Sequence, residues 1–319
     1  MIYKFKSKLL KFQNKFRPEA YILMYHRITD LEIDPWSLAV SAKNFDEQLG
    51  VLKKKFNVIG LEELIYKKTN NELEPNTIVI TFDDGYKDNY ATAYPILKKH
   101  KLPATFFISS AYIENQNEFW PDKLIRLLLN KYELPKKELV IKSLRRSWNI
   151  NSETFDKKMR FDFFMDVWYS LLQVNASVRE EALVKIEAWA THDNDIKWDT
   201  LPMSKDELVD LSKHPLISIG GHTSNHVALG FLDEEGQRHE IESNKLWLEN
   251  VLGKSVTGFA YPNGSYNSNT ISLMKDVGFE YACTTNEMRN SSYISNYELP
   301  RYQVYNWNKE SFLENIRRW

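Results

Sequence analysis

The amino-acid sequence predicts an α/β fold in which parallel strands alternate with helices to form a β/α barrel. Short apolar segments typical of buried strands recur along the chain, near residues 21–25, 56–59, 78–82, 104–108, 216–219, 256–260 and 280–284. Helical patterns separate most of these segments, for example at residues 88–100, 205–212 and 235–252. Because strands joined through helices run parallel, this order predicts a parallel sheet with crossover connections.

The composition is that of one large globular domain. The chain has 319 residues, 43% of them apolar, which is enough to bury one core with room for an elaboration. Its 42 basic and 43 acidic residues give a net charge of −1, so no overall positive field favours nucleic acid as a partner. The single cysteine, Cys283, excludes an intramolecular disulfide and lies in a predicted strand, where we expect a buried and unreactive thiol.

The N-terminal segment, residues 1–20, carries six basic side chains and one acidic one, with apolar residues at near-helical spacing. Two interpretations stay open: a basic amphipathic helix that rests on an anionic membrane surface, or a helix packed on the barrel. No apolar stretch has the length of a signal-peptide core or a membrane span. We therefore expect a cytoplasmic enzyme, associated with the inner membrane surface under the first interpretation.

The barrel domain is expected over residues 21–319, and a segment from about 112 to 202 interrupts its rhythm. This segment is too long for a loop. It carries helical patterns at residues 152–173 and from Ser177 to about residue 191, the second opened by a capping box. The sequence thus predicts a helical insertion beside the barrel mouth, with the aromatic face of its first helix interpreted as core.

Two neighbouring carboxylates follow the apolar run at residues 78–82. Successive side chains of a strand point to opposite faces, so Asp83 and Asp84 should diverge, which suits one carboxylate holding a metal and the other moving protons. His222 and His226 follow a second strand, and their i, i+4 spacing on a helical turn lets both rings reach one ion. Each motif alone is common in turns or on solvated helices, but their conjunction at strand ends predicts a metal site.

A third loop, at residues 259–264, follows another apolar segment. The Asp-Asp-Gly motif, the histidine pair and this loop together resemble the polysaccharide deacetylase family, also called the NodB-homology or carbohydrate esterase 4 family. The resemblance covers roughly residues 20–110 and 203–305. It implies that the fold is a distorted (β/α)7 barrel of the NodB-homology type.

The resemblance also implies a role for each motif. Asp83 is implied to be the general base that takes a proton from the attacking water. Tyr261 and Pro262 are implied to form one wall of the substrate groove, with the backbone amide of Asn263 facing the oxyanion. Two imidazoles and one carboxylate leave open positions on a Zn²⁺-like ion, as catalytic sites do, and such an ion polarises a carbonyl. The implied ligands of one divalent transition metal, with Zn²⁺ as the leading candidate, are Asp84, His222 and His226.

Two features of the family are missing from this chain. Ala260 stands where many members carry an arginine that orients the base, and the late Leu-x-x-His motif of the general acid is absent. The early Tyr25-His26 pair together with Ala260 resembles the branch of the poly-N-acetylglucosamine deacetylases. His26, at the carboxyl end of a predicted strand, is therefore a candidate general acid, or else a histidine hydrogen-bonded beneath the barrel mouth. The other candidate acid is Asp83 itself, once it has taken up a proton. Arg301 is either a substitute for the missing arginine at the substrate site or an ordinary surface residue.

These residues predict a metal-dependent hydrolase that removes N-acetyl groups from an amino sugar or a glycan intermediate of surface-polysaccharide biosynthesis. Trp120, where the insertion leaves the barrel, is a candidate to stack on the sugar ring. Sugar O-deacetylation or N-deformylation is the nearest alternative, because the site chemistry is nearly the same. A catalytically inactive sugar-binding module is the alternative from another class, favoured by the missing arginine and acid and opposed by the intact Asp83.

Overall fold

The computed structural model describes residues 19–129, 133–150, 156–190 and 200–319. The helix predicted for the N-terminus falls almost entirely on residues 1–18 and lies outside the described residues. The start of the helix predicted at 152–173 and the end of the helix predicted to reach residue 191 also lie outside them. No helix within the described ranges is long and apolar enough to cross a bilayer.

A parallel sheet of eight strands, among the described residues, forms the barrel and confirms the predicted fold class. The strands of the chain are β1 (Ala20–Tyr25), β2 (Asn57–Val58), β3 (Thr77–Phe82), β4 (Ala104–Ile108), β5 (Leu139–Ile141), β6 (Arg146–Trp148), β7 (Ile217–Gly221), β8 (Gly258–Ala260), β9 (Tyr281–Cys283) and β10 (Tyr302–Gln303). The order in the sheet is β10-β1-β3-β4-β7-β8-β9, with β2 paired to the start of β3, while β5 and β6 form a separate hairpin. All six residues of β3 are buried, as expected where helices cover a parallel sheet.

Helices connect the strands. They are α1 (Ala42–Lys55), α2 (Leu61–Thr69), α3 (Tyr94–His100), α4 (Ser110–Asn115), α5 (Trp120–Leu128), α6 (Lys157–Leu172), α7 (Ala176–Ala190), α8 (Lys205–Ser212), α9 (Glu234–Leu252), α10 (Ser268–Val277) and α11 (Lys309–Arg318). A capping box of Ser204 and Glu207 begins α8, and Gly253 ends α9 in the left-handed conformation. A π-helical turn at Asn89–Ala93 precedes α3, so the single helix predicted at 88–100 is interrupted.

The two edges of the sheet meet through the segment 299–303. Leu299 forms a parallel bridge with Cys283 at the end of β9, and β10 pairs with β1. The sequence did not predict β10, because two paired residues leave no apolar run. Arg301 lies in this closing segment, and its side chain reaches the end of β3, where Nη1 donates to Thr81 Oγ1 at 3.2 Å.

The segment between β4 and α8 contains α5, the β5–β6 hairpin, α6 and α7, which pack around an apolar cluster separate from the barrel core. Asn175 caps α7, because its Oδ1 accepts a hydrogen bond from the Val178 N–H at 3.0 Å. The capping box predicted at Ser177 is therefore wrong: Ser177 lies inside the first turn of α7. Asn175 is an equally good cap residue two positions earlier.

Candidate active site

The carboxylate pair lies at the carboxyl end of β3, where the chain leaves strand geometry. The Asp83 N–H still bonds to the Tyr25 carbonyl at 3.1 Å, so Asp83 continues the strand ladder. Asp84 then adopts a φ of 74° and Gly85 a φ of 93°, in the left-handed region that favours glycine. At Gly85 an added Cβ would lie 3.0 Å from Ile108 Cδ1. This turn directs the two carboxylates to different partners.

Asp84, His222 and His226 come together as a buried triad whose ligand atoms all lie within 4.8 Å of one another. Asp84 Oδ1 lies 3.2 Å from His222 Nε2 and 3.1 Å from His226 Nε2. This buried oxygen has no hydrogen-bond partner within the described residues. His222 Nδ1 lies 2.7 Å from the Ala260 carbonyl and donates to it, so Nε2 carries the lone pair that a metal needs. The donor set therefore fits one divalent cation.

The protonation states of the triad also suit a metal. Burial raises the pKa of Asp84, but the attraction of His226 and the contact with His222 outweigh burial and hold the pKa well below its usual value. Burial lowers the pKa of His226, against the opposing charge of Asp84. An ionised carboxylate and a neutral imidazole are the forms that bind metal ions.

The histidine pair lies on a loop, so the predicted helical turn is wrong. Thr223 and His226 adopt positive φ values of 61° and 50°, and no helix spans the motif. The loop is held by α9: Asn244 Nδ2 donates to the Thr223 carbonyl at 2.7 Å, and Asn244 Oδ1 accepts from the His222 N–H at 3.2 Å. The rings still meet, with centroids 5.1 Å apart, because the two left-handed residues fold the loop back on itself.

The insertion holds the far end of the histidine loop. Arg179 of α7 is buried and donates to the carbonyls of His226, at 3.1 Å, and Asn225. Trp120 Nε1 lies 3.4 Å from the same His226 carbonyl, and its ring is almost completely buried. Trp120 does not line the cavity at the site, so the predicted stacking contact with sugar is wrong. It packs inside the insertion because its neighbours there are apolar.

Asp83 is held by Arg301 rather than by the metal ligands. Arg301 Nη1 and Nη2 each donate to one Asp83 oxygen at 2.7 Å, and Arg301 Nε donates to the Thr284 carbonyl at 2.9 Å. Burial raises the pKa of Asp83, but the Arg301 guanidinium together with the charges of His222 and His26 outweighs burial, so the net pKa lies below its usual value. Arg301 is fully buried. Arg301 is therefore neither a surface residue nor a substrate contact. It supplies beside Asp83 the positive charge that is missing at position 260, where this chain has Ala260.

His26 lies at the end of β1 and its ring lines the cavity. His26 Nε2 lies 3.9 Å from Asp83 Oδ2, which is beyond direct hydrogen bonding. Burial lowers the pKa of His26, opposed by the charges of Asp83 and Asp84.

One cavity of ≈ 400 Å³ joins these groups, a size within the usual range of small-molecule sites. Asp83, His26 and Asn263 line it, as does the triad. Asn263 is exposed and adopts a φ of 55°. Tyr261 and Pro262 are buried behind it, and the Tyr261 hydroxyl donates to the Tyr297 carbonyl. Of the third loop as predicted, only Asn263 reaches the cavity.

Residues 70–282 match the family model described as polysaccharide deacetylase. The chain belongs to this family. The poly-β-1,6-N-acetyl-D-glucosamine N-deacetylase of Staphylococcus aureus strain MRSA252 is 23% identical to it, over 98% of this chain and 86% of the relative.

Solved structures share the fold. Streptococcus pyogenes deacetylase PplD has a TM-score of 0.62 at 21% identity, over 93% of this chain and 98% of its own. IcaB from Ammonifex degensii has a TM-score of 0.58 at 17% identity, over 94% and 96%. These likenesses confirm the distorted (β/α)7 barrel.

Sequence reasoning missed several residues that line the cavity of this polysaccharide deacetylase. Arg27 Nε pairs with Asp88 at 2.7 Å, and the Tyr86 hydroxyl donates to Asp122 Oδ2 at 2.7 Å. Burial raises the pKa of Asp122 to about 7, against the opposing charge of Arg27. Arg27 and Tyr86 directly follow the Tyr25-His26 pair and the Asp-Asp-Gly motif, so their position was a signal. Trp36 also lines the cavity, but the sequence carried no signal for it, because it lies in a loop away from the motifs.

The triad predicts a measurable metal content. Purified protein loaded with Zn²⁺ should hold about one ion per chain, and His222→Ala should lose most of it, because an open site with three protein ligands needs each of them. Elemental analysis after dialysis provides the measurement. His239→Ala is the matched control, since that imidazole is exposed on α9. Full occupancy in His222→Ala contradicts the assignment.

The Arg301 pair predicts a shift in the pH profile. Asp83 must be ionised to accept a proton, and Arg301 holds its pKa down. In Arg301→Gln the carboxylate loses the strongest of the charges that oppose burial, so the acid limb of kcat/KM should move to higher pH by roughly 1–3 units. Arg238→Gln, on the exposed face of α9, should leave the limb in place. An unmoved limb in Arg301→Gln shows that Asp83 is not the group that titrates.

Proposed function

We propose that this protein is a metal-dependent N-deacetylase that acts on a glycan of the poly-N-acetylglucosamine type. The observation that carries the proposal is the Asp83 carboxylate, fixed by Arg301 and facing the same cavity as the Asp84–His222–His226 triad. Family membership supports a carbohydrate substrate. The Staphylococcus aureus relative, which aligns with nearly the whole chain, supports N-acetylglucosamine as the sugar.

The triad and Asp83 divide the work. Asp84, His222 and His226 would hold a divalent transition metal such as Zn²⁺, which would supply Lewis-acid chemistry for the acetyl carbonyl and the attacking water. Asp83 takes the proton of the attacking water, and Arg301 keeps this carboxylate ionised and fixed in orientation. Since both Asp83 oxygens are bound to Arg301, Asp83 would have to give up these hydrogen bonds to turn toward the triad and become a ligand.

Two further groups act on the reacting amide. The backbone N–H of Asn263, on the exposed loop after β8, donates to the oxyanion, and one such donor contributes about 3 kcal/mol. His26 protonates the leaving amine, with the proton reaching it from Asp83 through one water or a small ring movement. Because burial lowers the pKa of His26, its ring gives up a proton readily once it holds one.

Two alternatives make different predictions. A sugar O-deacetylase would use the same groups, but the alcohol that leaves from an ester needs a proton far less than an amine does, so the cavity position of His26 favours amide hydrolysis. A catalytically inactive sugar-binding module needs no general base. Asp83, held in the ionised form by Arg301, opposes that alternative. Arg301 takes the place of the arginine that is missing at Ala260, so this feature no longer favours an inactive protein.

A role in surface-polysaccharide biosynthesis follows from a glycan substrate and forms part of the proposal. The cytoplasmic location expected from the sequence stays a prediction, as does the membrane contact of residues 1–20.

Removal of the base tests the proposed activity. Asp83→Asn loaded with Zn²⁺ should keep its metal yet lose about 10²–10⁴-fold in acetate release from β-1,6-linked N-acetylglucosamine oligomers, because proton abstraction is lost while the triad stays intact. Asp276→Asn, an exposed carboxylate on α10, is the control. Turnover of Asp83→Asn within a few-fold of the parent refutes the mechanism, and release from O-acetylated but not N-acetylated sugars identifies an O-deacetylase.

The acid role of His26 predicts a difference between substrates. His26→Gln should lower turnover of an amide by roughly 10²-fold or more, because an amine leaves poorly without a proton. The rate on an activated aryl acetate should be spared, because its leaving group needs none. Parallel assays on the two substrates provide the measurement. Equal losses on both, or no loss on either, indicate that His26 is structural.

A further inference from the structure

Two partly exposed indole rings line the same cavity as Asp83 and are not used by the mechanism above. Trp36 belongs to the loop after β1, and Trp168 belongs to α6 of the insertion. Their ring centroids lie 5.5 Å apart, with the ring planes at 45°. The exposure of these two rings contrasts with the burial of their neighbours Phe164 and Trp120.

The two rings are held in place from behind. Trp168 stacks on Trp120 at 6.3 Å with an interplanar angle of 21°, and Trp36 packs against Phe164 at 5.7 Å. Gln303 Nε2 also donates to the Trp36 carbonyl at 3.1 Å. A ring supported in this way loses little conformational freedom when a ligand binds, so the pair is preorganised for binding.

The chemistry of this wall fits a sugar ring. Aromatic faces bind the apolar surface of a ligand, while polar groups at their edge fix its orientation. Within the described part of the chain, neither indole N–H donates a hydrogen bond to protein. The Asp122 carboxylate lines the same cavity, and among the described residues the hydrogen bond to its Oδ1 is a long one of 3.4 Å from Arg27 Nη1. A pyranose ring offers apolar C–H faces and a rim of hydroxyls, and so matches both kinds of group.

We propose that Trp36 and Trp168 form a second sugar subsite, which binds the pyranose ring next to the one that is deacetylated. The reacting groups directly follow β1, β3, β7 and β8 of the barrel, whereas the rings of Trp36, farther along the loop after β1, and of Trp168 pack against the apolar cluster of the insertion. A ligand that contacts both regions extends from the barrel mouth to the insertion, and we assign this span to two linked sugars. This inference rests on the proposed function, and it makes the insertion the part of the chain that selects oligomers over monomers.

The test compares substrates of different length. The full chain loaded with Zn²⁺ is assayed on a monomeric N-acetylglucosamine glycoside and on the β-1,6-linked dimer and longer oligomers. Trp36→Ala and Trp168→Ala should each lower kcat/KM on oligomers by about 10-fold or more, the scale of one lost apolar contact in a binding pocket. Their kcat/KM on the monomer should stay unchanged. Tyr169→Ala, an exposed aromatic on the same helix, should affect neither substrate.

Three controls keep the outcome decisive. If Trp168→Ala loses its metal, the substitution has shifted the histidine loop through the insertion, and its rates cannot test the subsite. The ratio of oligomer to monomer rates in Trp36→Ala and Trp168→Phe is then the deciding measurement. Trp168→Phe keeps an aromatic face and should retain most of the oligomer rate. Equal losses on monomer and oligomer, or none, overturn the subsite. Losses confined to glucosamine with a longer N-acyl chain also overturn it, because the pair would then hold the acyl group.

Binding separates this inference from the proposed function. If the parent enzyme releases no acetate from any oligomer, the proposed function fails. Calorimetry on Zn²⁺-loaded Asp83→Asn still measures whether affinity rises from monomer to dimer and whether adding Trp36→Ala removes that rise. Affinity that does not depend on chain length overturns the subsite whatever the catalytic result.

Discussion

The left-handed turn at Asp84 and Gly85 is the constraint on which the site depends. Adjacent carboxylates on a regular strand would point to opposite faces of the sheet, and only one could enter the cavity. The turn, with φ values of 74° and 93°, ends the strand geometry so that both can reach it. A non-glycine residue in this conformation costs about 1–3 kcal/mol. The Asp84 carbonyl accepts a hydrogen bond from the Ser109 N–H at 3.1 Å, which ties the turn to the end of β4.

Two buried arginines, Arg301 and Arg179, also hold the groups of the site in position, and neither lines the cavity. Arg301 binds both oxygens of Asp83 and so holds this carboxylate apart from the triad. Arg179, on α7 of the insertion, donates to two carbonyls of the histidine loop. The position of His226 is therefore fixed by contacts from the insertion as well as from the barrel. The insertion therefore supports the histidine loop and also forms a wall of the cavity. Trp168 lies in that wall, so a residue outside the barrel can contact the substrate.

Short-range patterns were readable from the sequence and long-range contacts were not. Strands such as β3, the helix predicted at 205–212, and the carboxylate and histidine motifs follow from local periodicity and side-chain chemistry. Arg301 pairs with Asp83 across 218 residues of chain, and no local pattern reports such a contact. The histidine spacing suggested a helix, but hydrogen bonds from Asn244 hold the loop in a non-helical conformation with two left-handed residues. Trp120 and Trp168 look alike in sequence, and only tertiary packing decides which of them is buried.

The division of labour between the two carboxylates is tested most directly by anomalous diffraction at the zinc edge from crystals of the Zn²⁺-loaded protein. The account predicts one peak, bound by Asp84, His222 and His226, with Asp83 still paired to Arg301 through both oxygens. A peak ligated by Asp83 with its bond to Arg301 broken, or no peak at the triad, would contradict it.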